Sequence, residues 1–180
     1  AVPDDGRLYA VAPDSIYIKE INAALNVLKV ASTNGDVSLK VHDTVYGAKN
    51  FDGPYGEDLI LSAESGNSLT NDDPVSFGLI SAPNGNITIE AGDDVNLFED
   101  TLVEGSTAAG DQVLIRGDYA GAIDPIQERD PNKGTTITIA GQLIGSAVIA
   151  EGGNDLDFIQ ILPTSVLTAG IVGPIIVKSF

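Results

Sequence analysis

The sequence predicts an all-β protein, a right-handed parallel β-helix, with a β-sandwich as the rival architecture. Three observations lead there. One phrase recurs, a tight-turn signal followed by a strand that alternates apolar and polar residues. It reads Thr33-Asn34-Gly35-Asp36-Val37-Ser38-Leu39-Lys40-Val41, then Pro83-Asn84-Gly85-Asn86-Ile87-Thr88-Ile89-Glu90, and more loosely Asn132-Lys133-Gly134-Thr135-Thr136-Ile137-Thr138-Ile139. Asn-Gly tolerates the positive φ of a tight turn, and the alternation sends Val37, Leu39 and Val41 to one face. Strand-like starts near Ile16, Val37, Leu59, Leu79, Val95, Val113, Ile137, Phe158 and Ile175 are mostly about 17 to 24 residues apart, one solenoid coil. Finally, 20 Gly and 9 Pro among 180 residues suit many turns, and no long Ala/Leu/Glu/Lys-rich segment calls for a major helix.

Taken in order, the first strand opens at Ile16. Glu20 to Leu28 follows as the best helical candidate, with Ile21, Leu25 and Leu28 at helical spacing, but Asn26 to Val30 also alternates as a strand would. Val37 to Val41 is a clear strand, and His42 continues its polar face with Lys40. Tyr46 to Glu57 breaks the rhythm with Pro, Gly and charge and reads as a loop; so does Tyr119 to Lys133. Between them lie short β-rich runs, Asp58 to Ala63 and Gln112 to Arg116, bounded by Gly, Asp and Asn. Ile171 to Val177 is too apolar to stand in water. It closes the last coil or adds to the open edge of a neighbouring subunit. The spacing implies eight or so coils and a rod roughly 40 Å long at about 4.8 Å per coil. Val37, Leu39, Ile87, Ile89, Ile137 and Ile139 are expected to share one core.

The chain carries 9 Lys+Arg against 26 Asp+Glu, a net charge of -17. Nucleic acid and anionic lipid surfaces would be repelled by such a surface. Clustered carboxylates could instead hold Ca²⁺, a hard cation with oxygen ligands. Without Cys there are no disulfides or thiolate sites, and a single His leaves no zinc set. The lack of Met at position 1 implies a processed chain or an excised fragment. No apolar run reaches the roughly 18 residues of a membrane span.

With these strands in place, Asp14-Ser15-Ile16-Tyr17-Ile18, Ala31 to Leu39 and Ile80 to Leu97 resemble the repeats of filamentous-haemagglutinin-like bacterial surface proteins. The resemblance implies a large secreted adhesin built on a right-handed parallel β-helix, of which one β-rich domain over residues 1–180 is a fragment or building block. Gly152-Gly153-Asn154-Asp155-Leu156-Asp157-Phe158-Ile159-Gln160 resembles one copy of the calcium-binding nonapeptide of RTX proteins. There Asp157 holds the ligand position, while Asp155 stands where that pattern has Gly. The alternative is an acidic turn with Phe158 and Ile159 in the core. Asp93, Asp94, Asp155 and Asp157 are the candidate Ca²⁺ ligands.

Other constellations read as structural. The acidic pairs Asp72-Asp73, Asp93-Asp94 and Glu99-Asp100 do not make a glycosidase dyad if they lie on strands, because neighbours there point to opposite faces. Ser38, His42 and Asp43 lack the geometry of a triad. Arg116-Gly117-Asp118 spells an integrin-binding tripeptide, but it directly follows an apolar strand. The expected function is an extracellular structural or adhesive element of a bacterial cell surface, without enzymatic activity and without membrane insertion. Its partners would be a host or neighbouring-cell surface, or its own copies end to end. A self-assembling filament or sheath subunit is the alternative, and a polysaccharide-active enzyme the third.

Overall fold

The computed structural model describes residues 7–21, 24–41, 58–62, 78–117, 135–152, 157–170 and 173–178. Sixteen strands occur among them and no helix. They are β1 (Leu8–Ala12), β2 (Ile16–Glu20), β3 (Leu25–Ser32), β4 (Val37–Val41), β5 (Leu59–Leu61), β6 (Gly78–Ala82), β7 (Ile87–Glu90) and β8 (Val95–Leu97). There follow β9 (Thr101–Gly105), β10 (Gln112–Arg116), β11 (Thr136–Ile139), β12 (Gln142–Gly145), β13 (Ala147–Glu151), β14 (Phe158–Ile161), β15 (Val166–Ala169) and β16 (Ile175–Lys178).

Every pairing is parallel, which sets the antiparallel sandwich aside and makes the fold a parallel β-helix. The strands form a ten-stranded and a six-stranded sheet. The larger one is two ladders joined at β3, whose first half pairs with β5 and whose second half pairs with β6. Each complete turn therefore visits three ladders. The first runs β3, β5, β8, β11, β14; the second β1, β3, β6, β9, β12, β15; the third β2, β4, β7, β10, β13, β16. The corner in β3 is written in its side chains. Leu25 and Val27 point inward, then Val30 and Ser32, so the two-residue period slips by one at Leu28. Two buried residues in a row, Val27 and Leu28, mark the bend. That slip settles Glu20 to Leu28: its second half is strand, because the chain there lies in two ladders at once.

The third ladder has six members in register, so among the described residues the rod is six levels high, not eight. At about 4.8 Å per level that is roughly 25 Å. All nine anticipated strand starts fall within a residue of an observed strand. They were counted as one per coil, whereas they come from all three ladders, which inflated the coil number. The six expected core residues are all fully buried in one cluster: Val37, Leu39, Ile87, Ile89, Ile137 and Ile139. Phe158 is not in that core. It stacks outward on Thr136 and is 59% exposed, while Ile159 stacks on Ile137 and turns in. The two candidate loops lie outside the described residues.

The glycines of the recurring phrase have another role than the turn chemistry suggested. The positive-φ residues among those described are Gly110 and Asp100, and neither Gly35 nor Gly85 is one of them. These two glycines stack on each other across adjacent coils. A Cβ added at Gly85 would lie 2.5 Å from the Gly35 carbonyl oxygen, and one at Gly35 would lie 2.4 Å from Ser15 Oγ. Close approach of coils, not backbone twist, selects glycine there.

Two outcomes follow for stability. Ile89→Ala and Ile137→Ala should each cost roughly 2 to 5 kcal/mol by urea denaturation, as expected for fully buried large side chains. Gly85→Asn should destabilise about as strongly as Gly85→Ala. A glycine needed for positive φ would instead tolerate Asn better than Ala.

Candidate functional site

The polar groups organise into vertical columns, because in-register stacking brings the same position of successive coils together. One such column runs along the starts of the third-ladder strands β2, β4, β7 and β10. Ser15 Oγ accepts from the Asp36 amide at 3.0 Å, Asp36 Oδ1 from the Asn86 amide at 2.8 Å, and Asn86 Oδ1 from the Gln112 amide at 2.9 Å. The first ladder repeats the device: Asp58 Oδ1 accepts from the Asp94 amide at 3.2 Å, and Asp94 Oδ1 from the Thr136 amide at 2.7 Å. Each side chain thereby satisfies a backbone N–H just outside the strand ladder. Short side chains with an oxygen two or three bonds from Cα suit this reach, which explains Ser, Asp and Asn at these corners.

Three of the four candidate calcium ligands, Asp93, Asp94 and Asp157, fall in the same region of the first ladder. The Asp93 carbonyl accepts from Thr135 Oγ1. Asp157 Oδ1 accepts from the Thr135 amide at 3.1 Å, reaching back one coil. Its second oxygen, Oδ2, is buried without a hydrogen-bond partner and packs where a Gly152 Cβ would be. Asp155 lies outside the described residues. Asp94 and Asp157 thus hold the successive Thr136 and Thr135 amides of one coil from its two sides, each with one oxygen. Among the described residues no three acidic or histidine side chains gather as a metal site. Burial pushes the Asp94 carboxyl above its ordinary value, against the lowering pull of the Thr136 amide.

A second column lies on the outer face of the third ladder. The register aligns Lys19, Lys40, Glu90, Arg116, Glu151 and Lys178 across six coils. From Lys40 onward the sign alternates at every step. Lys40 Nζ is 2.6 Å from Glu90 Oε2, and Arg116 reaches Glu90 at 3.4 Å and Glu151 at 2.5 Å. Lys178 lies 3.6 Å from Glu151. The Glu90 side chain is only 4% exposed, so both cations lie over a nearly buried carboxylate. Burial alone would lower the Arg116 pKa, but the hydrogen bond and charge of Glu151, joined by Glu90, raise it. Arg116 of the integrin-like tripeptide is thus engaged within the rod; Asp118 is outside the described residues.

The acidic pairs Asp93-Asp94 and Glu99-Asp100 sit at corners, not on strands, so strand alternation is not what separates their side chains. Glu99 and Asp100 border a cleft of about 530 Å³ whose lining on the later coils is Ala140, Gly141, Gln142 and Thr164, with no carboxyl group. Asp100 holds a φ of 59° there, a left-handed conformation that Asp tolerates. Asp72, Asp73, His42 and Asp43 lie outside the described residues. Sequence reasoning missed both columns. The signal was present: Ser15, Asp36, Asp58, Asn86 and Asp94 each stand directly before a strand.

Comparison with protein-family models, with curated proteins and with solved structures finds no match. Among the described residues no helix is long and apolar enough to cross a membrane.

Asp94→Asn keeps an acceptor oxygen for Thr136 and removes the buried charge. Because the folded-state pKa is raised, protonation favours the fold, and that advantage is lost as pH rises through the raised value. The variant should therefore melt above the parent at pH 7, and the gap should close on acidification, vanishing below the ordinary value of 3.8. In the charge column, Glu90→Ala should cost on the order of 1 to 3 kcal/mol in denaturant titration. Lys178→Ala, at the exposed end, should stay within about 0.5 kcal/mol.

Proposed function

We propose that the protein is an extracellular structural or adhesive element of a bacterial cell surface, acting as a stiff β-helical rod. The observation that carries this reading is the uninterrupted stack of inward columns over six coils, held outside by corner hydrogen bonds and a charge column. Every such feature serves coil-to-coil cohesion, the property a load-bearing projection needs. The resemblance of Asp14 to Ile18, Ala31 to Leu39 and Ile80 to Leu97 to filamentous-haemagglutinin-like repeats supports the adhesive part. Weak Ca²⁺ binding at the Asp94–Asp157 corner belongs to the same reading, and the unpartnered Asp157 Oδ2 favours it. A filament or sheath subunit is the second reading, favoured by inward-facing residues left half-exposed on the last coil.

The adhesive reading is tested by coating beads with the chain and counting attachment to host and bacterial cells. Attachment above a charge-matched acidic protein is expected; equal counts would remove it. Electron microscopy separates the structural readings, since single rods fit the first and long fibres the second. Calcium is tested by melting in chelator, in Ca²⁺ and in matched Mg²⁺. A Ca²⁺-specific rise of the melting temperature, lost in Asp157→Asn, is expected. Three coincident curves would leave only a solvated acidic surface.

A further inference from the structure

The corner between the first and second ladders changes length from coil to coil. Three residues, Phe98-Glu99-Asp100, join β8 to β9; two, Ala140-Gly141, join β11 to β12; four, Leu162 to Ser165, join β14 to β15. The short middle turn is drawn in against its neighbours. The Ala140 amide donates to the Leu97 carbonyl at 2.8 Å, and the Val166 amide to the Gly141 carbonyl at 3.3 Å. A Cβ added at Gly141 would lie 2.6 Å from the Thr101 carbonyl oxygen. The cleft of about 530 Å³ is the notch left where this short turn lies between two longer ones. Its walls are two coil spacings apart, about 10 Å between backbones. Such a slot takes a single flat or extended group, not a globular surface.

The lining sets the chemistry of that group. Glu99 and Asp100 form one wall, and among the described residues neither carboxylate has a hydrogen-bond or ion-pair partner. They differ in this from Asp36, Asp94, Asp157, Glu90 and Glu151, each engaged with a neighbouring coil. Thr164 on the opposite wall donates its hydroxyl hydrogen to the Ala140 carbonyl at 3.2 Å, which leaves its oxygen free to accept. Gln142 is exposed and adds an amide, and Leu102 and Ala140 add a small apolar surface. Among the described residues no Lys, Arg or His lines the notch. An anion would be repelled there, and a neutral group would leave two charges uncompensated. A cation on a short apolar stem meets every part of the lining.

We propose that the notch receives an arginine side chain presented on an extended segment of a partner protein. The planar guanidinium matches a slot one coil wide, and its forked N–H donors address the Glu99 and Asp100 carboxylates together. Lysine brings a point charge and no plane, so it binds more weakly. The methylene stem lies on Leu102 and Ala140, as arginine stems do on apolar surface. The net charge of -17 draws a basic segment in, and the notch decides which side chain is held. Such a site gives the adhesive reading above a partner chemistry and rests on that reading for its setting. Peptide binding in solution is read without cells, so either can fail without the other.

The probe is the peptide Gly-Ser-Arg-Ser-Gly with acetylated and amidated ends. Its counterparts carry lysine, or the neutral isostere citrulline, in place of arginine. The readout is the backbone amide chemical shifts of the whole chain, titrated at about 0.15 M salt, where charges beyond about 8 Å are screened. The arginine peptide should bind at least about tenfold tighter than the citrulline peptide and about threefold tighter than the lysine one. Its shifts should centre on residues 98–102, 140–142 and 164. Glu99→Gln and Asp100→Asn should each weaken it at least about fivefold, and Asn keeps the left-handed backbone of Asp100. Glu104→Gln removes the same charge three residues further along β9 and should change the affinity less than about twofold. A melting curve of each variant confirms folding. No shift at millimolar peptide, or equal binding of the arginine peptide and either counterpart, overturns the proposal. So does an equal loss in Glu104→Gln, since the notch would then be one part of a general acidic surface.

Discussion

In-register parallel stacking is the constraint on which the rest of this structure depends. Once Val37 lies over Ile16 and under Ile87, every neighbouring position is committed to the same arrangement, about 4.8 Å apart. A column is then chemically uniform or chemically complementary. The inward column Ile16, Val37, Ile87, Val113, Val148 and Ile175 is uniform and apolar. A slip of one residue would turn it out and bring Tyr17, Ser38 and Thr88 in. Gly35 and Gly85 answer the same constraint at the corner, where the coils approach too closely for a Cβ.

Charge is where uniformity fails. A column of carboxylates at this spacing would repel itself, and a chain at -17 has few cations with which to interrupt one. Four of its nine Lys and Arg residues stand in the single column that contains Glu90 and Glu151. The corner acids are handled differently. Asp36, Asp58, Asp94 and Asp157 each lend an oxygen to a backbone amide of an adjacent coil, a donor that helps hold the carboxylate in place. At Asp94 burial outweighs that help. A cation at this corner would act on a carboxylate already held in place, so its effect would be electrostatic relief more than ordering.

Much of the fold was legible because strand alternation and turn signals are local. The stacking of the phrases at Thr33 and Pro83 on each other was legible too, since each carries the same turn before the same alternation. The phrase at Thr135 uses that pattern on a different ladder, and nothing local tells a first-ladder strand from a third-ladder one. Hence the coil count went astray. The strands β12 and β13 were overlooked because they follow their predecessors with only one or two residues between, as Gly145-Ser146-Ala147 shows; β9 and β15, overlooked as well, follow turns of three and four residues. The site was less legible than the fold. Asp94 and Asp157 grip the same coil from opposite sides, and their partners are backbone amides, which no side-chain motif announces. Glu90 looked like one acid among 26; only the register reveals it between Lys40 and Arg116.

A stack of this kind draws its stability from neighbour to neighbour, so a middle coil is supported on both sides and an end coil on one. The asymmetry of the two ends follows. At the first coil Ile16 and Leu25 are buried while the inward Leu8, Ala10, Ala12 and Ile18 are partly so, and Lys19 is an exposed group at the margin. The last coil has the weaker position: among the described residues β16 pairs with β13 alone, and its inward Ile175 and Val177 are about half exposed. Fraying should therefore begin at β16 and move inward, against increasing resistance as it reaches the buried Glu90–Arg116 segment. The charge column thus acts as more than surface decoration: it ties the coil most easily lost to the coils least easily lost, through Glu151.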